Sequence, residues 1–179
     1  MKQWLSVVAI CLLAAGTSAA QTGGAAKGTA GRPDAPDSTF VTEAAADGTA
    51  EVEHGRLATQ NASSADVKQF GQHMVDDHSK ANTELKSIAS QKQITIPAEL
   101  TGKHKAMQDK LSKLKGAEFD KAYMAHMVTA HQQAVNLFER EVKTGKDAEL
   151  KAWAQKTLPN LQEHLKMARD INAKLGKTK

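Results

Sequence analysis

VKQFGQHMVDDH, residues 67–78, sets Val67, Phe70, Met74 and His78 at spacings of three, four and four, the period of one helical face. Its closing frame, His-Met-Val-x-x-His, returns as HMVTAH at residues 126–131, again with an aromatic three positions ahead: Phe70 in the first copy, Tyr123 in the second. In each copy the second histidine, His78 or His131, shares a face with the methionine four residues before it. The leading histidines, His73 and His126, are five residues from their partners, about 140° round the helix, and point elsewhere.

Working outward, the same period covers nearly everything from Ser38 onward. A first helix over 38–61 carries Phe40, Ala44, Gly48, Glu51, Gly55 and Ala58 on one stripe, with Asp37 or Ser38 as its cap. Ser63 and Ser64 offer an N-cap for a second helix to about residue 91. ITIP at 94–97 breaks the pattern, because the residue before Pro97 is driven toward extended geometry. A short helix over 101–114 turns Met107, Leu111 and Leu114 inward and ends at Gly116. A third long helix over 117–144 is stopped by Gly145. The last, capped by Asp147, carries Leu150, Ala154, Leu158, Leu161, His164, Ala168, Ile171 and Leu175, with a kink expected at Pro159. No strand pattern appears. Tight turns join the first two and the last two long helices, and about 25 residues separate the second from the third. The expectation is an all-α, ferritin-like four-helix bundle whose long crossover carries a short extra helix, with a five-helix up-down bundle as the alternative.

In four successive long helices the residue interrupting the apolar stripe is Glu51, His78, His131 and His164. Each lies within about three positions of its helix midpoint, or about 4.5 Å of rise, so side-by-side packing sets the four at one level. An unpartnered buried polar group costs roughly 1–3 kcal/mol, and a divalent metal relieves that cost. Nitrogen and oxygen ligands suit Zn, Mn, Fe, Cu or Ni. Asp77 and Glu163, each just before a site histidine, can orient an imidazole on a neighbouring helix. Met74, Met127 and Tyr123 read as packing, with methionine-sulfur copper binding the lesser reading. His54 reads as solvent-facing, and His104 as a connector residue.

The amino terminus, MKQWLSVVAICLLAAGTSAAQ, reads as an export signal over 1–20: a lysine, an apolar run too short to span a bilayer, then small residues at the cut. The only cysteine, Cys11, falls inside it, so the mature chain has neither disulfides nor thiolate ligands. Residues 21–37 read as a flexible linker, 38–176 as the bundle and 177–179 as a tail. Without Lys2 the chain holds 23 basic residues against 20 acidic, too even a balance for nucleic acid. No nucleotide or haem motif and no Ser-His-Asp ordering points to a cofactor or to catalysis.

The segments AEVEHGRLA (50–58), VKQFGQHMVDDH (67–78), ITIP (94–97), LKGAEFDKAYMAHMVTAH (114–131) and LPNLQEHL (158–165) together resemble the exported bacterial family called domain of unknown function 4142, whose members are often labelled outer membrane proteins. The resemblance spans Phe40 to Leu175. It implies a ferritin-like bundle, a periplasmic or outer-membrane-associated location and no settled activity. The matching motif positions are Glu51, Asp77, His78, Phe119, Asp120, Tyr123, His131, Pro159 and His164. Paired-iron members of the ferritin-like fold carry Glu-x-x-His. Here Val75, Val128 and Leu161 stand three residues before the histidines, which argues against paired-iron chemistry. Two readings lead: an exported bundle binding one divalent metal through Glu51, His78, His131 and His164 in an envelope or stress-related role, and a metal-free structural or interaction module with an envelope partner. A metal-dependent enzyme, the third, needs a cleft.

Overall fold

The computed structural model describes residues 34–100 and 102–177. The export signal, all but the last four residues of the linker, and residues 178–179 lie outside the described residues. Five helices follow in order: α1 (Ala35–Asn61), α2 (Ala65–Gln91), α3 (Gly102–Leu111), α4 (Gly116–Thr144) and α5 (Ala148–Lys177). The described residues contain no strand. The architecture is an all-α bundle, with α3 on the long crossover between two helical hairpins.

Helix starts differ from the sequence reading in an instructive way. α1 begins at Ala35, three residues early, because Pro36 in its first turn has its φ preset for a helix and needs no donor there. Asp37 therefore caps nothing on its own helix. It is buried, and accepts the backbone N–H of Asp147 at 2.7 Å and of Lys146 at 3.2 Å, in the α4–α5 turn. Asp120, near the start of α4, does the same for the α1–α2 turn. It accepts the N–H groups of Ser63 (3.1 Å) and Ser64 (2.9 Å) and the Ser63 hydroxyl (2.5 Å). Each hairpin's turn is thus held by a carboxylate from the first helix of the other hairpin. Ser64 is the α2 N-cap by position, yet its side chain makes no capping bond; the charge comes from across the bundle. Asp147 caps α5 as expected, accepting from Glu149 and Leu150.

These bonds fix the directions. The start of α1 meets the end of α4, and the start of α4 meets the end of α1, so the pair is antiparallel. Lys92 at the end of α2 pairs with Asp147 and Glu149 at the start of α5, while Lys174 near the end of α5 pairs with Asp66 at the start of α2. That pair is antiparallel too. Helix contacts run α1 to α2, α2 to α5, α5 to α4 and α4 to α1, a square with every edge antiparallel. The crossover must travel the length of the bundle to connect α2 to α4, and α3 lies along the α1–α4 edge. On the α1–α2 edge the backbones approach closely through Gly55 and Gly71. A Cβ on Gly71 would stand 2.6 Å from that of Ala58 and 2.9 Å from the Gly55 carbonyl oxygen.

The apolar interior is in two parts. One gathers Phe40, Leu85, Phe138, Leu150 and Trp153 near the start of α1. The other gathers Phe70, Met74, Phe119, Tyr123 and Met127 near its end. Met74, Met127 and Tyr123 are fully buried packing residues, as read from sequence. Between the two parts lies a polar layer: Glu51, His54, His78, His131 and His164, all buried. Four long helices packed by their apolar stripes bring their one polar stripe residue to this layer.

Candidate metal centre

His78, on α2, His131, on α4, and His164, on α5, meet in that layer. Their ring centroids are 5.4–5.7 Å apart. Each offers one ring nitrogen, and the three nitrogens lie within 4.8 Å of one another. The rings do not bond to each other. His131 Nδ1 faces the Met127 carbonyl oxygen at 3.0 Å and donates its proton to it. His164 Nε2 donates to Asp77 Oδ2 at 2.9 Å. Those bonds choose the tautomers of His131 and His164 and leave their opposite nitrogens with lone pairs. The nitrogens left over, His78 Nε2, His131 Nε2 and His164 Nδ1, are buried without a hydrogen-bond partner. Asp77 thus fills the orienting role expected from sequence. Glu163 is exposed and makes no bond to an imidazole among the described contacts.

The protonation states suit a cation. Burial, reinforced by the charges His131 and His164 would carry, holds His78 well below the usual imidazole range. Burial and His164 push His131 down to about 3, against the help of the Met127 carbonyl. Burial also lowers His164, opposed by its bond to Asp77. All three are neutral near pH 7 and can donate a lone pair without first losing a proton, as metal binding requires.

Glu51 sits in the same layer, 6 % exposed, with Oε2 unpartnered. It is not in the three-nitrogen group; it lines a partly enclosed cavity of about 220 Å³ that also reaches His78 and His131. Burial, then the neighbouring Asp47 charge, pushes its carboxyl up to about 8. Asp47, Lys103, His104 and His126 also line this cavity. The space beside His78 and His131 therefore has room for a small ligand, the cleft that the sequence does not reveal.

His54 corrects the sequence reading. It is fully buried rather than solvent-facing, its ring 5.2 Å from that of His126, and neither nitrogen makes a side-chain hydrogen bond. In a bare four-helix square its face of α1 would be wet, but α3 covers that edge. His104 on α3 lies 3.1 Å from Asp47. The leading histidines of the repeat are outside the three-histidine group, as their 140° offset requires. His73 nevertheless reaches Asp77 at 3.5 Å, one helical turn along α2, an i, i+4 spacing visible in the sequence.

Residues 21–171 match the family described as domain of unknown function DUF4142, and the chain belongs to that family. No curated protein matches it. Among solved structures it is similar to a DUF305 protein from Streptomyces coelicolor described as secreted, with a TM-score of 0.68 at 13% identity, covering 79% of this chain and 94% of that one. A DUF305 fragment from Deinococcus radiodurans has a TM-score of 0.68 at 12% identity, covering 81% and 98%. CopM in its Cu(II)-bound form has a TM-score of 0.66 at 17% identity, covering 77% and 96%. At these identities the likeness is one of fold. Among the described residues no helix is long and apolar enough to cross a membrane.

Proposed function

We propose that this member of the DUF4142 family is an exported binding protein for one divalent late transition-metal ion, held by His78, His131 and His164 at the middle of the bundle. One observation carries the reading: three imidazoles from three helices present unpartnered, buried, neutral nitrogens to a common space. Left alone, each such nitrogen costs roughly 1–3 kcal/mol; a bound ion turns that cost into coordination. Glu51, unpartnered in the adjoining cavity, is the acid the set would recruit as a fourth ligand. The chemistry supplied on binding is the holding of the ion by nitrogen donors in the interior of the bundle.

Imidazole donors favour copper(II) by the general affinity order, with zinc(II) as competitor. CopM, a protein of the same fold, carries Cu(II), and that supports copper as the first ion to try. The metal-free module reading has a specific difficulty, because its buried histidines should bond to one another and these do not. A second reading rests on the cavity: three protein ligands with an open position is also the plan of catalytic zinc sites, and its mark would be turnover of a small substrate. Export to the periplasm or outer-membrane surface, in an envelope or stress-related role, is part of the proposal.

Metal analysis of untagged protein tests it. Close to one equivalent of metal in the native chain, falling sharply in His78→Ala, is the expected result. A metal-free chain that takes up no Cu(II) or Zn(II) at equilibrium sinks it.

A further inference from the structure

A second group of metal-ligand atoms stands beside the first, formed by His73, Asp77 and His164, again mutually within 4.8 Å. Asp77 Oδ2 is 2.9 Å from His164 Nε2 and 3.5 Å from His73 Nε2. The His73 and His164 rings are 5.7 Å apart. The burial grades from outside to inside: the His73 side chain is 53% exposed, Asp77 36% and His164 3%. His164 belongs to both groups, presenting Nε2 to the outer one and leaving Nδ1 for the inner.

Resting on the metal-binding reading above, we propose that His73, Asp77 and His164 form the receiving site through which a divalent late transition-metal ion enters the three-histidine centre, with His164 as the shared ligand. Three features favour this edge of the bundle over the cavity. The α2–α5 edge, where the outer group lies, makes no substantial contact with α3, whereas α3 packs along α1 and α4. A surface groove of about 320 Å³ between α2 and α5 has His73 in its wall. The outer group itself supplies a half-exposed carboxylate, Asp77, to attract an arriving cation, whereas the acid at the cavity's edge, Asp47, is engaged by Lys103 and His104.

The second copy of the repeat fits the same division. Where α2 carries Asp77, α4 carries Ala130, so His126 lacks the acid partner that His73 has. Only the first copy gives its leading histidine an acid one helical turn along.

The shared ligand limits the stoichiometry. A neutral imidazole carries one proton and one lone pair. While the outer ion holds Nε2, the proton sits on Nδ1 and His164 cannot serve the inner site; when the ion passes inward, the proton returns to Nε2 and to Asp77. The outer group is therefore a stage on the way in, occupied by the same ion at a different time, and the protein holds one ion at equilibrium.

The experiment is stopped-flow loading of the metal-free protein with copper(II), followed by quenching of tryptophan fluorescence, together with equilibrium titration. Trp153 lines the cavity beside His78 and His131. His73→Gln changes an exposed side chain and leaves the core intact. Its loading rate should fall severalfold, because the arriving ion loses one of its three ligands at the receiving site, with the equilibrium affinity and the one-ion stoichiometry unchanged. His104→Gln, at the opposite edge, should load at the native rate. A native loading rate in His73→Gln, or slow loading in His104→Gln instead, would put entry through the cavity and overturn the proposal. Two ions at equilibrium would overturn it as well, by making the outer group a separate site. Absence of copper uptake in the native protein is a different failure, that of the metal-binding reading itself.

Discussion

Acidification from pH 6.5 to pH 5.0 should destabilise the metal-free protein, and the structure sets the size. His54 and His126 are pushed down to about 4 and His131 to about 3, each chiefly by burial. A histidine whose folded pKa is depressed stays neutral in the fold but charges in the unfolded chain as pH falls below 6.5, so its stabilising contribution drains away. At about 1.36 kcal/mol per pH unit, each of the three loses about 1.6 kcal/mol over this interval. Glu51 and Glu141 work in the opposite sense. Burial, aided by neighbouring acids, raises them to about 8 and about 7. Their contribution is present below 4.5 and lost as pH rises toward those values. Over the same interval they return together about 3.6 kcal/mol. The difference is a loss of about 1 kcal/mol, and burial shifts His78 and His164 in the same direction, which enlarges it. Urea unfolding in chelator at the two pH values measures it, with a midpoint lower by roughly 0.5 M or more at pH 5.0. Above pH 6.5 the glutamates alone act and stability declines again, so the optimum lies near 6.5. Equal or greater stability at pH 5.0 would refute the burial of these histidines as neutral groups.

Other consequences can be checked by mutation. Asp120→Ala strips two backbone N–H groups and a hydroxyl of a charged acceptor and should cost about 3 kcal/mol or more in thermal or urea unfolding, with Asp120→Asn recovering part; a neutral Asp120→Ala would mean that the cross-brace carries no weight. Gly71→Ala forces a methyl against Ala58 and should destabilise by about 1–3 kcal/mol through overpacking, measured in the same way. Asp77→Ala removes the acceptor that orients His164 and should weaken copper(II) affinity by about 10–100-fold in a competition titration, while far-ultraviolet circular dichroism stays helical.

Much of this architecture is legible in one sequence, because apolar stripes repeat at helical spacing and the stops are chemically marked. Asp147 begins α5 by accepting the N–H groups of Glu149 and Leu150, α4 ends at Gly145, where a Cβ would press on Glu141, and Pro97 lies in the crossover between α2 and α3. Three of the four stripe-breaking residues, His78, His131 and His164, meet because packing long rods side by side equalises height. Glu51 comes to the same layer but faces the adjoining cavity, a difference of direction that spacing along one helix does not encode. His54 is misread for a related reason: its exposure depends on α3, a helix from fifty residues further along the chain that covers the α1–α4 edge. Asp37 and Asp120 act across the bundle, and nothing local distinguishes a carboxylate that caps its own helix from one that holds a distant turn. The role of His73 is partly visible, since His73 and Asp77 are one turn apart, but the partner His164 is known only once α2 and α5 are seen to pack together.

Pulsed electron paramagnetic resonance of protein loaded with one equivalent of copper(II) tests the central claim most directly, because it counts the imidazoles bound to the ion. Three coordinated imidazoles in the native protein, one fewer in each of His78→Ala, His131→Ala and His164→Ala, and no change in His104→Gln is the expected pattern. A copper signal that survives all three alanine substitutions unaltered would place the ion elsewhere and remove the mid-bundle site.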